Sequence, residues 1–155
     1  MADPEADETA MWEALRIAQA DEFVRGKDGG LDAEVAQEGR NFSGGQRQRL
    51  TIARALTRRP EILILDDSAS ALDYMTDANL RRAIRQADPN MTIVIVSQRT
   101  ASVRFADRIV VLDDGKICGL GTHDELMESC PVYREIYDSQ FRKETNGKEG
   151  SGNEK

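Results

Sequence analysis

Three short segments carry residue types that can do chemistry. The first is Asn41-Phe42-Ser43-Gly44-Gly45-Gln46, which stands directly before a stretch with helical periodicity. Ser43 and Gln46 fit the S-x-x-Q capping box, which by itself needs no function. The two glycines are harder to explain that way, because each weakens a helix by about 1 kcal/mol relative to alanine. What they permit is close approach of another group to backbone N–H donors at the positive end of a helix. That is an anion site, and phosphate is its usual occupant. Plain capping and phosphate binding both satisfy this segment. The second is Asp66-Asp67, at the end of the apolar run Ile62-Leu63-Ile64-Leu65. Two adjacent carboxylates repel unless a proton or cation intervenes, and a hard cation such as Mg²⁺ suits them. The plainer reading is a strand-to-helix loop with aspartate as the helix cap. The third is Gln98, whose amide can donate to a phosphate oxygen but cannot act as acid or base. An ordinary polar loop residue would read the same.

The elements that must position these residues are set by period and punctuation. Residues 9–24 read as one helix, with Met11, Ala14, Leu15 and Ala18 on one face. Residues 25–41 are loop-like, broken by Gly26, Gly29, Gly30 and Gly39. A second helix is expected over 44–59, ending before Pro60 with Arg58 and Arg59 in its last turn. The continuous apolar run 62–65 predicts a strand buried on both faces. A helix carrying Leu80, Ala83, Ile84 and Ala87 comes next, then a second buried strand over Thr92–Val96 that leads to Ser97-Gln98-Arg99. A short helix precedes a strand over 108–112. Asp113-Asp114-Gly115 then signals a turn, with 116–120 as the returning strand of a hairpin. Thr122 and Glu125 form a second capping box, and a last helix covers 132–141. Alternating strands and helices imply an α/β domain with a mainly parallel sheet, and the strand-free first forty residues read as a separate helical lobe.

Composition narrows the classes. The 155 residues hold 28 Asp+Glu against 21 Lys+Arg, a net charge of −7, which disfavours a general nucleic-acid binder. The longest apolar runs are far shorter than the roughly 20 residues a membrane helix needs. The acidic start Met1-Ala2-Asp3-Pro4-Glu5 contains no signal-peptide core. Cys118 and Cys130 form no CxxC pair and suggest no disulfide framework; both read as inert, in a reducing compartment. His123 reads as part of the second cap, Met11 and Trp12 as packing of the helical lobe, and Arg81, Arg82 and Arg85 as a solvated helix face.

In this order the segments resemble the ATP-binding-cassette (ABC) ATPases. Segment 41–46 with Arg47-Gln48-Arg49-Leu50 looks like the family's signature motif and its helix, and Ile62 to Asp67 looks like the Walker B strand. Ser70-Ala71-Leu72-Asp73 looks like the D-loop, and Ser97-Gln98-Arg99 occupies the position of the switch histidine. Glu34-Val35 before Gln37-Glu38-Gly39, with Gly121-Thr122-His123-Asp124-Glu125-Leu126, is most similar to exporter-type members. The resemblance spans roughly residues 9–141. It implies a partial P-loop NTPase-type parallel sheet flanked by helices, with an N-terminal helical lobe. Residues 1–58 would be the helical subdomain with the signature motif and its helix, 59–141 the α/β core, and 142–155 a disordered polar tail.

The family's roles then fall residue by residue. Ser43, Gly44, Gly45 and Gln46 would bind ATP in trans, across a dimer with a second nucleotide-binding domain. Asp66 would hold Mg²⁺ through water, Asp67 and Gln98 would stand at the catalytic positions, and Ser70 and Asp73 would belong to the D-loop. Three departures qualify this. No G-x-x-x-x-G-K-[ST] occurs, so the chain looks like the C-terminal half of a nucleotide-binding domain. Asp67 replaces the family's catalytic glutamate, one methylene shorter, and Gln98 replaces its histidine. A good signature beside weakened catalytic positions resembles the degenerate-site half of a heterodimeric exporter of multidrug or lipid type, inactive as an isolated fragment. Its expected partners are the second cassette and the exporter's transmembrane domains, without nucleic acid, at the cytoplasmic face of the plasma membrane. The alternatives are a non-catalytic signature-bearing module and a non-transport ABC ATPase.

Overall fold

The computed structural model of the chain describes residues 7–66 and 71–149, with the backbone alone for 142–149. Asp67 and Ser70 lie outside the described residues. Two compact units divide the chain, 1–96 and 97–155.

The first unit begins with α1 (Glu8–Ile17), capped by Asp7, whose carboxylate accepts from the Ala10 N–H at 2.7 Å. The single helix expected over 9–24 is two. Gln19 adopts a left-handed φ of 58°, and the chain closes a Schellman turn: Ala20 N–H donates to Leu15 C=O at 2.8 Å and Gln19 N–H to Arg16 C=O at 3.1 Å. α2 (Asp21–Arg25) starts afresh beyond it. Glutamine in place of the usual glycine hides this stop from a sequence reading. Trp12 packs on the core of the unit, with the Arg25 guanidinium 3.9 Å above its ring. After two short 3₁₀ turns, α3 (Gly44–Leu56) buries Ile52, Ala53 and Leu56. It ends three residues short of the expected Arg59, which itself takes a left-handed φ of 47°.

β1 (Ile62–Asp66) and β2 (Thr92–Val96) pair in parallel, from Ile62 opposite Thr92 to Asp66 opposite Val96. The expectation of burial on both faces is corrected. Leu63 and Leu65 are buried among Ile52, Leu80 and Ile84, whereas Ile62, Ile64, Val94 and Val96 face outward and are exposed. A continuous apolar run reports that both faces favour burial, not that one chain covers both. α4 (Tyr74–Ala87) follows an Asp73 cap and supplies Leu80 and Ile84 to the core. On this helix Arg82 and Arg85 are exposed as expected, but Arg81 is not solvated: it is half-buried and pairs with the buried carboxylate of Asp77 one turn earlier. Burial holds its guanidinium pKa down.

The second unit opens with the one-turn helix α5 (Thr100–Val103). Its hairpin joins β3 (Ile109–Asp113) to β4 (Lys116–Gly121) through Asp114 and Gly115, both left-handed at φ 46° and 73°. That is the turn form whose twist matches paired strands. A β-bulge between Val111 and Leu112 leaves Cys118 as the extra residue, since Val111 faces Gly119 and Leu112 faces Ile117. α6 (His123–Ser129) and α7 (Pro131–Glu149) complete the unit around Ile109, Val111, Leu126, Cys130 and Tyr133. The polar tail expected from residue 142 is helical as far as Glu149; its lysines and glutamates are good helix formers, and composition alone registers only their polarity. Among the described residues no helix is long and apolar enough to cross a membrane.

Candidate functional site

The start of α3 is the most completely built of the candidate sites. Phe42 is buried and meets Phe23 edge-on at 6.2 Å. Behind it, Asn41 ties down the preceding loop: its side chain accepts from Ala36 N–H at 3.2 Å and donates to Glu34 C=O at 2.7 Å. Arg47 reaches back to donate to Phe42 C=O at 2.7 Å and to Gly39 C=O at 3.4 Å. Gly39, at φ 65°, is required here, because a Cβ on it would lie 2.8 Å from Arg47 Cδ. Arg49 donates to the carbonyl of Gln19 and lays its guanidinium 4.9 Å from the Phe23 ring centre. The arginines after the motif are therefore clamps on the helical lobe, a role no spacing rule announces.

The capping box forms in full: Gln46 N–H donates to Ser43 Oγ at 3.2 Å, and Ser43 N–H donates to Gln46 Oε1 at 2.9 Å. Capping is therefore realised, and it does not use up the donors an anion would need. The box consumes acceptor capacity on both side chains, so the Ser43 hydroxyl proton and the Gln46 NH₂ group remain available to donate. It also accounts for the N–H groups of Ser43 and Gln46. A helix start leaves those of Gly44 and Gly45 to partners outside the helix. No acidic residue stands in this first turn, so the positive end of the helix is not neutralised.

Gly45 has a second reason to be glycine. A Cβ there would meet Ala71 C=O at 3.0 Å and Leu72 Cδ2 at 3.4 Å. Ala71 N–H also donates to Gln48 Oε1 at 3.3 Å. The structure thus brings the 43–46 segment against Ala71 and Leu72, the residues just before Asp73. Asp73 is the N-cap of α4, accepting from Thr76 N–H at 2.9 Å and from Thr76 Oγ1 at 2.7 Å. These Thr76 bonds hold its carboxyl below the ordinary range. Asp66 ends β1 with its side chain exposed. No cluster of three or more metal-ligating side chains occurs among the described residues. Asp66 fits Mg²⁺ as one ligand among waters and phosphate oxygens, as this ion prefers.

In the second unit the Gln98 side chain is exposed while its backbone is fixed. Gln140 Nε2 donates to Gln98 C=O at 2.7 Å, and Gln140 Oε1 accepts from both Thr100 N–H and Thr100 Oγ1 at 2.9 Å. A residue 42 positions along the chain thus anchors the loop, which local sequence does not signal. His123 is engaged structurally as expected: Nδ1 lies 2.9 Å from Tyr133 Oη, and its ring packs on Tyr133 and Tyr137. Burial pushes the Tyr133 hydroxyl pKa up.

The ABC transporter family profile matches residues 5–70. An uncharacterized ABC transporter ATP-binding protein of Mycobacterium bovis is 51% identical over 140 residues, covering 90% of this chain and 24% of the relative. One of Bacillus subtilis is 44% identical over 139 residues, covering 90% and 23%. A multidrug efflux ATP-binding/permease protein of Mycobacterium bovis is 40% identical over 133 residues, covering 86% and 11%. Among solved structures, a bacterial Atm1-family ABC exporter with ATP bound superposes with a TM-score of 0.85 at 30% identity, covering 89% of this chain and 24% of that one. The chain spans about a quarter of the length of the first of these relatives.

Proposed function

We propose that this chain, similar to ABC transporter ATP-binding proteins, is the C-terminal part of an exporter's ATP-binding domain, whose α3 start binds ATP held by a second nucleotide-binding domain. The observation that carries this reading is the α3 start itself. Its capping box spends acceptors and spares donors, two glycines open the backbone, and no acid neutralises the turn. The ATP-bound exporter to which the chain is similar supports nucleotide as the anion.

In the working assembly ATP and Mg²⁺ supply the chemistry of in-line phosphoryl transfer to water. Ser43 and Gln46 donate side-chain hydrogen bonds, and Gly44 and Gly45 donate backbone N–H groups, toward phosphate oxygens. Asp66 would orient the waters of the metal. Asp67 and Gln98 make this chain's own nucleotide site the degenerate one of a heterodimer. Aspartate at 67 reaches a water poorly, and misplacements of about 1 Å cost on the order of 10²-fold. Glutamine at 98 can donate a hydrogen bond but cannot act as acid or base. The transmembrane domains are the remaining partners, at the cytoplasmic face of the membrane, and the substrate class is that of multidrug or lipid exporters.

The test is made in the full-length transporter. Asp67→Glu with Gln98→His should raise ATP turnover of the second site, read as turnover per assembled complex. Unchanged turnover would remove the degenerate-site assignment. Transport that survives Ser43→Ala at the normal rate would remove ATP binding by α3 and with it the asymmetric pair of sites.

A further inference from the structure

The two cysteines, separated by 12 positions, are brought together by the second unit. Cys118 is the extra residue of the β4 bulge, and bulges re-aim a side chain that regular alternation would send to the other face. Its neighbour Gly119 faces α6 so closely that a Cβ on it would lie 2.9 Å from Cys130 Sγ. The bulge sets Cys118 next to that close approach. Cys130, the C-cap of α6, points its sulfur at Cys118 C=O, 3.8 Å away. Cys118 Sγ itself donates to Val111 C=O at 3.5 Å, across the bulge. Access differs between them: Cys118 is exposed, and Cys130 is buried, 2% exposed.

We propose that Cys118 and Cys130 are a modification site, an oxidisable pair that a hydroperoxide closes into a disulfide between β4 and the end of α6. The exposed Cys118 thiolate attacks the peroxide, whose O–O bond breaks. Cys118 becomes a sulfenic acid and hydroxide leaves. The Cys130 sulfur then attacks the Cys118 sulfur, an S–S bond forms, the S–O bond breaks, and a second hydroxide leaves. With the two thiol protons the sum is two thiols and one hydrogen peroxide giving one disulfide and two waters. Partial desolvation and the neighbouring Cys130 hold the Cys118 thiol above its ordinary pKa, so the thiolate fraction is small and closure is slow, rising with pH. The pair fits the transient disulfides found where thiols are otherwise kept reduced.

Both cysteines fall on the single tryptic peptide 117–134, between Lys116 and Arg134. The full chain is treated with hydrogen peroxide in the presence of dimedone, then unfolded, alkylated, digested and weighed. The expected peptide is lighter by two hydrogen atoms, carries no alkyl group and no dimedone, and recovers both thiols after dithiothreitol. Cys130→Ala, which removes the second sulfur, should instead give a dimedone adduct on Cys118. Cys118→Ser, at an exposed position, should leave Cys130 fully alkylatable. The proposal is overturned if dimedone traps Cys118 in the unsubstituted chain as readily as in Cys130→Ala. It is equally overturned if the only disulfide formed links two copies of the chain.

Discussion

Two helix starts in this molecule are built on the same box and differ in the residues that come after its first member. At α3, Ser43 and Gln46 exchange hydrogen bonds; at α6, Thr122 and Glu125 do, with Thr122 N–H donating to Glu125 Oε2 at 2.8 Å. After Ser43 come two glycines and no acid. After Thr122 come His123, engaged with Tyr133, and then Asp124 and Glu125 in the first turn. The α6 start supplies its own negative charge, whereas the α3 start leaves its positive end to something outside the helix. The box therefore says where a helix begins, and the next residues decide whether that beginning can hold an anion.

The largest expected effect separates the two directly. Ser43→Ala and Thr122→Ala should each cost about 1 kcal/mol of stability, read as a shift in denaturant midpoint. Only Ser43→Ala should also reduce ATP turnover in the full-length transporter, by about 10²-fold, the usual loss of one positioned donor. Equal losses of turnover from both would erase the distinction. A second variant turns stability against function. Gly44→Asp gives α3 the charge that α6 already has, and its Cβ would sit at an ordinary 3.6 Å from the Ala71 Cβ. Stability should rise by about 0.3–1 kcal/mol, while ATP-dependent turnover falls at least about tenfold through repulsion of phosphate.

The smallest effect is one of pH. Glu125 is held below the ordinary carboxylate range, first by its hydrogen bonds with Thr122. A carboxyl whose folded pKa is lowered contributes stability above its unfolded pKa and loses it as pH falls through the folded value. Glu125→Gln keeps the box but cannot titrate, so its thermal midpoint should fall less on acidification than that of the unsubstituted chain. The α3 box, closed by an amide, contributes no such slope.

The legible parts of the fold are those written locally. The caps at Ser43 and Thr122, the turn at Asp114-Gly115, and the strand, helix, strand order of 62–96 are all carried by short patterns. That order in turn implies the parallel pairing of β1 and β2. The features that escape a sequence reading depend on distant partners. Gln19 stops α1 in a left-handed turn secured from α3 by Arg49, and Gln140 anchors Gln98 across 42 positions. Ala71 and Leu72 make Gly45 necessary through contacts 26 and 27 residues later in the chain, whereas the motif by itself suggests only room for a ligand. The bulge that sets Cys118 beside Cys130 follows from register, not from either residue's type. For the candidate site, the capped helix start at 43–46 is readable, whereas its supporting arginines are not.

The outward face of the β1–β2 pair has a colloidal consequence. Ile62, Ile64, Val94 and Val96 stand in water with 60%, 65%, 43% and 52% of their surface exposed, and fully burying such a side chain is worth about 1.5–3 kcal/mol. The net charge of −7 keeps molecules apart, but salt screens that repulsion beyond a Debye length of about 8 Å at physiological ionic strength. Salt leaves the attraction between apolar stripes in place. Two opposing forces with different salt dependence therefore set the solubility of this chain, and added electrolyte shifts the balance toward association.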